Sequence, residues 1–158
     1  MEHSLSIDTS VGKEEIYLQV LNQLRALVQG EEDLIANLAN SCALLKEAFN
    51  WWWVGFYLVK NQELVLGPFQ GPVACTRIAY GRGVCGSAWQ QQKTIIVPNV
   101  HDFPGHIACS SASLSEIVVP FFGSNQEVIG VLDVDSEHLN YFDEIDAKYL
   151  EAIVAMLA

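Results

Sequence analysis

The sequence predicts an α+β sandwich in which two amphipathic helices, a run of β segments and a closing helix share one core. Three observations carry this expectation. Apolar residues recur at helical spacing before Phe49 and again after Asp143. The stretch between them is rich in aromatic and β-branched residues interrupted by turn signals. Strands and helices do not alternate there, which excludes a βαβ architecture. The 158 residues are 51% hydrophobic and 17% charged, enough to bury a core without staples. No repeat, linker or low-complexity segment divides them. One domain over residues 1–158 is expected, opened by a polar arm at 1–10.

Each element has its own signal. Tyr17, Val20, Leu21, Leu24, Leu27 and Val28 form the stripe of the first helix, which Gly30 stops. The second starts near Asp33 and places Ile35, Leu38, Cys42, Leu45 and Phe49 on one face. Trp51 to Lys60 reads as an aromatic strand, turned by Asn61-Gln62 into a hairpin partner from Glu63 to Pro68. Ala74 to Tyr80 is a further strand, and Gly81-Arg82-Gly83 leads into a short helix from Gly86 to Gln92. Thr94 to Pro98 is a short β-branched strand. A long loop, Asn99 to about Ser115, carries His101, His106 and Cys109, and a loop of that length inside a compact domain is read as functional. Glu116 to Phe122 and Val128 to Val134 are strands around a turn at Gly123-Ser124-Asn125. Asp143 caps the last helix, with Ile145, Tyr149, Ile153 and Met156 on its buried face.

Charge removes several function classes. Eight basic residues stand against 19 acidic ones, a net charge of −11, so nucleic acid and anionic membrane surfaces are not expected partners. The longest apolar run, Trp51 to Val59, is far short of the roughly 20 residues of a membrane span. The first residues show no signal-peptide pattern, so a cytoplasmic location and reduced thiols are expected.

Four cysteines then need roles. Cys42 lies in a helix stripe and acts as a small hydrophobe. Cys75 lies near a strand start, Cys85 follows a glycine-rich turn where a helix dipole would lower its pKa, and Cys109 sits in the long loop between Ala108 and Ser110. Three thiols at glycines and loop ends point to redox chemistry. There is no Cys-x-x-Cys pair, and His101, His106 and Cys109 match no common zinc spacing and lack a fourth ligand. No metal site is expected. A Cys–His hydrolase would leave two thiols unexplained.

The acids and aromatics complete the candidate site. Asp133 and Asp135, at i and i+2 on a strand, share one face, and Glu116 could converge on it. The alternative is a solvated face. Convergent carboxyls raise one another's pKa, so such a group can hold an ammonium and donate a proton. On the Trp51 strand, alternation places Trp51, Trp53, Gly55 and Tyr57 on one face and Trp52, Val54 and Phe56 on the other. One face is core and the other is core or a ligand wall.

Five segments together resemble the free-methionine-(R)-sulfoxide reductase family, a catalytic branch of the GAF fold. They are Gly67-Pro68-Phe69-Gln70-Gly71-Pro72-Val73-Ala74-Cys75, Gly81-Arg82-Gly83-Val84-Cys85-Gly86, Gly105-His106-Ile107-Ala108-Cys109, Ser115-Glu116-Ile117-Val118 and Gly130-Val131-Leu132-Asp133-Val134-Asp135-Ser136. The likeness runs from about Ala48 to the C-terminus. It implies an antiparallel sheet of about six strands, with the terminal helices on one face and the ligand pocket on the other. It implies reduction of the R diastereomer of free methionine sulfoxide without metal, flavin or nucleotide cofactor. By the resemblance, Cys109 is the nucleophile that becomes a sulfenic acid, Cys75 resolves it as a disulfide, and Cys85 has a secondary resolving or supporting role. Glu116, Asp133 and Asp135 are the substrate-binding acids, and Trp53 and Tyr57 the aromatic wall. A thioredoxin-type reductant and a homodimer through the terminal helices are further expectations. The rival is a GAF sensor without catalysis. Asn140-Tyr141-Phe142-Asp143-Glu144 resembles a motif of cyclic-nucleotide-binding GAF domains, with Tyr141 where lysine stands there.

Overall fold

Alternation along β1 (Trp53–Lys60) divides the molecule into two apolar layers. The computed structural model describes residues 6–107, 109 and 111–157, so the first half of the polar arm and the two neighbours of Cys109 lie outside the described residues. β1 pairs antiparallel with β2 (Glu63–Gln70) and β6 (Val128–Ser136). β3 (Arg77–Ala79), β4 (Ile95–Val97) and β5 (Ser115–Phe122) complete a six-stranded antiparallel sheet in the order β3-β2-β1-β6-β5-β4. Val54, Phe56 and Leu58 pack with α1 (Lys13–Val28), α2 (Leu34–Phe49) and α4 (Glu144–Leu157). Trp53 and Tyr57 face the other layer with Val84, Cys85 and Ala88 of α3 (Gly83–Gln91). Each aliphatic or aromatic side chain fully buried between layers contributes about 1.5–3 kcal/mol.

The predicted ends hold where a side chain specifies them. Asp33 caps α2, its Oδ1 accepting from the Ala36 amide at 2.9 Å. Asp143 caps α4 by accepting from the Ile145 amide at 3.0 Å, while Asp146 Oδ2 accepts from the Asp143 amide at 2.9 Å, a reciprocal capping box. The same buried Asp146 accepts from Lys13 Nζ at 2.8 Å and from the Tyr17 hydroxyl, so the cap of α4 also ties α1 in place. Asn61 and Gln62 both have positive φ, 51° and 65°, the hand that continues strand twist through a two-residue hairpin.

Several expectations are corrected. β2 does not stop at Pro68: Gly55 pairs with Phe69 and Tyr57 with Leu66, so Gly67 and Pro68 together face the single residue Phe56. This bulge accommodates a residue with no N–H, and the strand continues to Gln70. β3 is shorter than the stretch from Ala74 to Tyr80, α3 begins at Gly83, and the long loop contains a 3-10 turn at Val100–Asp102. Trp51 precedes β1, so strand alternation does not reach it. It packs with the helices beside Phe49, while Trp52 packs in the opposite layer. Ile35 and Ile145 are exposed by 49% and 38%. Both lie in first turns, and helical spacing does not reveal where along a helix the opposing layer ends.

Candidate active site

β-Register places the acids where the sequence expects them and adds their order. Trp53 pairs with Asp135, Asp135 with Glu116, and Glu116 with Val97. Trp53, Asp135 and Glu116 therefore form a row across three neighbouring strands, about 4.8 Å per step. One pleat along, Gly55 pairs with Asp133 and Asp133 with Val118. Asp133 and Glu116 are buried and Asp135 is half-buried. All three, with Cys85, line a pocket on the face opposite the terminal helices.

The aromatic wall depends on a glycine. A Cβ at Gly55 would lie 2.3 Å from Phe69 Cβ and 2.6 Å from the Trp53 indole. The absent side chain lets that indole lie flat between Phe69 and Tyr57, with ring centroids 5.3 and 5.9 Å away. Both wall residues also hold the loop that bears Cys75. Trp53 Nε1 donates to the Pro72 carbonyl at 3.0 Å, and the Tyr57 hydroxyl donates to the Cys75 carbonyl at 2.9 Å. Gly55→Ala is expected to cost at least the 1–3 kcal/mol typical of overpacking, with a raised KM because the indole is displaced. Urea denaturation and steady-state kinetics check the two effects.

The cysteines divide into three environments. Cys75 and Cys109 form a disulfide with Cα atoms 5.5 Å apart, and Cys109 lines the pocket. This bond joins the β2–β3 loop to the long loop before β5. It also removes Cys109 from any ligand set with His101 and His106. Cys85 stays a free, buried thiol, its Sγ 3.9 Å from Glu116 Oε1. Its pKa is not lowered by the helix: burial and the nearby Asp133 and Glu116 carboxyls push the thiol well above its ordinary range. Cys42 lies in the helical layer, where burial pushes its pKa up to about 12. It donates to the Pro68 carbonyl, which agrees with a packing role.

Electrostatics at the pocket floor follow from the burial of three neighbouring carboxyls. No salt bridge reaches Glu116, Asp133 or Asp135 among the described residues. Desolvation raises the pKa of each, and repulsion among the carboxyls adds to it at Asp133 and Asp135. Ser113 Oγ donates to Asp135 Oδ1 at 3.2 Å and opposes the rise there. Asp133 Oδ1 is buried with no hydrogen-bond partner among the described residues. The floor thus favours the protonated form of its acids and leaves one buried carboxylate oxygen unpaired among the described residues.

Sequence reasoning did not place Arg82, Trp52, His106 or Ser113 at the pocket, although all four line it. Arg82 had a signal in its Gly81-Arg82-Gly83 setting, and Ser113 in the run of small hydroxyl residues before β5. Residues 140–144 do not line the pocket. Phe142 is in the helical core and Asp143 caps α4, so the likeness to a nucleotide motif is accounted for by packing.

Comparison with known proteins now bears on this geometry. Residues 31–158 match the GAF domain family. The chain is 64% identical over 146 residues to GAF domain-containing protein A of Dictyostelium discoideum, covering 92% of each chain. It is 47% identical over 148 residues to the free methionine-R-sulfoxide reductase of Escherichia coli (strain K12), covering 93% of this chain and 89% of that one. The chain belongs to the free-methionine-(R)-sulfoxide reductase family of GAF domains. An X-ray structure of the Neisseria meningitidis free methionine-R-sulfoxide reductase in complex with its substrate aligns with a TM-score of 0.95 at 55% identity. That alignment covers 99% of this chain and 93% of the other.

Proposed function

We propose that this GAF domain is a thiol-dependent oxidoreductase that reduces free L-methionine-(R)-sulfoxide to methionine. The observation that carries this reading is the Cys75–Cys109 disulfide at a pocket floored by three carboxyls with raised pKa. The substrate is a zwitterion. Its ammonium meets the acids, with Asp133 Oδ1 an acceptor in need of a donor. Its carboxylate meets backbone N–H groups of the long loop and Arg82, a cation lining the same pocket. Trp53 and Tyr57 contact the methyl group and select the face of sulfur that is presented.

The Cys109 thiolate attacks the sulfoxide sulfur while a protonated carboxyl, Glu116 or Asp135, protonates the sulfoxide oxygen, so that the S–O bond breaks as the Sγ–S bond forms and the oxygen leaves as water. A water oxygen then attacks Cys109 Sγ and gives up a proton; the Sγ–S bond breaks with its electron pair on the methionine sulfur, so methionine leaves reduced by two electrons and Cys109 is left as a sulfenic acid. The Cys75 thiol condenses with it, forming the disulfide and releasing water. An external dithiol of the thioredoxin type then takes the two oxidising equivalents. The protein supplies thiols and carboxyls, and no prosthetic group enters this scheme. Discrimination against sulfoxide within a peptide follows from losing the ammonium, which leaves buried acids unpaired.

The test is methionine release from separated R and S diastereomers of free methionine sulfoxide with dithiothreitol as reductant. Selective turnover of the R form is expected. Absence of methionine from either form, with folded and reduced protein, refutes the reading and returns the pocket to a sensor.

A further inference from the structure

The redox cycle leaves over the Cys85 thiol, which lies beside two of the pocket acids, Glu116 and Asp133. Cys85 Sγ and one carboxylate oxygen from each of Glu116 and Asp133 all lie within 4.8 Å of one another. The three come from α3, β5 and β6, so helix and sheet packing fixes their relative positions. All are buried, Asp133 is only 6% exposed, and its Oδ1 has no partner among the described residues. No salt bridge offsets the two carboxyls among those residues. Cys85 stays outside the disulfide, so its sulfur is present in the oxidised protein too.

The geometry points to a three-ligand site for a thiophilic divalent cation of the Zn²⁺ class, formed by Cys85, Glu116 and Asp133 and open to the pocket at its fourth vertex. One sulfur and two carboxylate oxygens suit a borderline-soft ion better than Mg²⁺ or Ca²⁺, which take oxygen ligands alone. Tetrahedral bonds of usual zinc length put ligand atoms about 3.5 Å apart. The Cys85–Glu116 contact is 3.9 Å, so binding asks for side-chain contraction and no rearrangement of the fold. On binding, the thiol forms a sulfur–metal bond and gives its proton to solvent, and no electron is transferred. The cation would use the Asp133 carboxylate assigned above to the substrate ammonium, which makes it a competitor of the amino acid.

The test uses the full chain with the Cys75–Cys109 disulfide formed, so that those sulfurs are not ligands. Equilibrium dialysis against Zn²⁺ should give one saturable ion per chain, and Cd²⁺ should give a thiolate-to-metal charge-transfer band. Cys85→Ser should lose the band, and Cys42→Ser should keep it. Asp133→Asn, which leaves the thiol in place, should weaken binding by more than about tenfold, since even indirect ligand partners are worth that much. Absence of saturable binding by the wild type overturns the site, as does unchanged binding by folded Cys85→Ser or Asp133→Asn. The readout is metal bound to oxidised protein, so it is independent of whether the chain turns over sulfoxide.

Discussion

Replacing Cys109 by serine is expected to abolish methionine release from the R sulfoxide. Cys75→Ser is expected to release about one methionine per chain and then stall when a thioredoxin-type dithiol is the sole reductant. The difference follows from the order of events. A hydroxyl at position 109 cannot take the oxygen from sulfur at any useful rate, so no product forms. With Cys75 replaced, the attack still occurs, but the sulfenic acid at Cys109 lacks the partner that the disulfide places beside it. Cys85 is a poor substitute because its buried thiol is held protonated by desolvation and the adjoining acids, and the thiolate is the species that resolves. Rapid-quench methionine counting measures the single turnover, and a sulfenic-acid-specific nucleophile should label the stalled Cys75→Ser protein at Cys109. Multiple turnovers by Cys109→Ser would sink the nucleophile assignment. Steady turnover by Cys75→Ser without small thiols would make Cys85 the resolving residue.

Local rules made part of this site legible in the sequence, and tertiary contacts decided the rest. The period of two in a strand suffices to put Asp133 and Asp135 on one face, and β-register then brings Glu116 beside them as expected. The caps Asp33 and Asp143 are equally local, since their partners lie two or three residues away. Strand alternation does not reach Trp51, because it begins only where the strand begins. Cys85 shows the limit most clearly. A helix start predicts a lowered pKa, but the opposite shift arises from burial and from carboxyls on β5 and β6, far away in the chain. The dipole effect is worth about 0.3–1 kcal/mol at exposed sites, whereas burial of a charge among like charges costs several kcal/mol. No pattern within α3 reveals that contest. The hydrogen bond from Ser113 to Asp135 is likewise a contact between a loop and a strand.

Asp133→Asn is expected to separate stability from activity. Desolvation, then the Asp135 and Glu116 carboxyls, raise the Asp133 pKa well above the ordinary aspartate range. Below the unfolded-state pKa, near 3.9, both states carry the proton and the acid imposes no penalty. As pH rises from there toward the folded-state pKa, the unfolded chain releases its proton while the folded chain retains it, so stability falls with rising pH. An asparagine keeps the shape, cannot ionise, and can donate its amide N–H to the neighbouring carboxyls. The variant should therefore be more stable than wild type at pH 7. The gap should close toward pH 4. Activity should move the other way. Losing one partner of a buried charge pair costs about 2–5 kcal/mol, so kcat/KM for the R sulfoxide should drop at least about thirtyfold, chiefly through KM. Denaturant titrations at pH 4 and pH 7 with parallel kinetics check both halves. A variant less stable than wild type at pH 7 would mean that the three acids are not in electrostatic conflict. A variant with unchanged KM would mean that the substrate ammonium sits elsewhere.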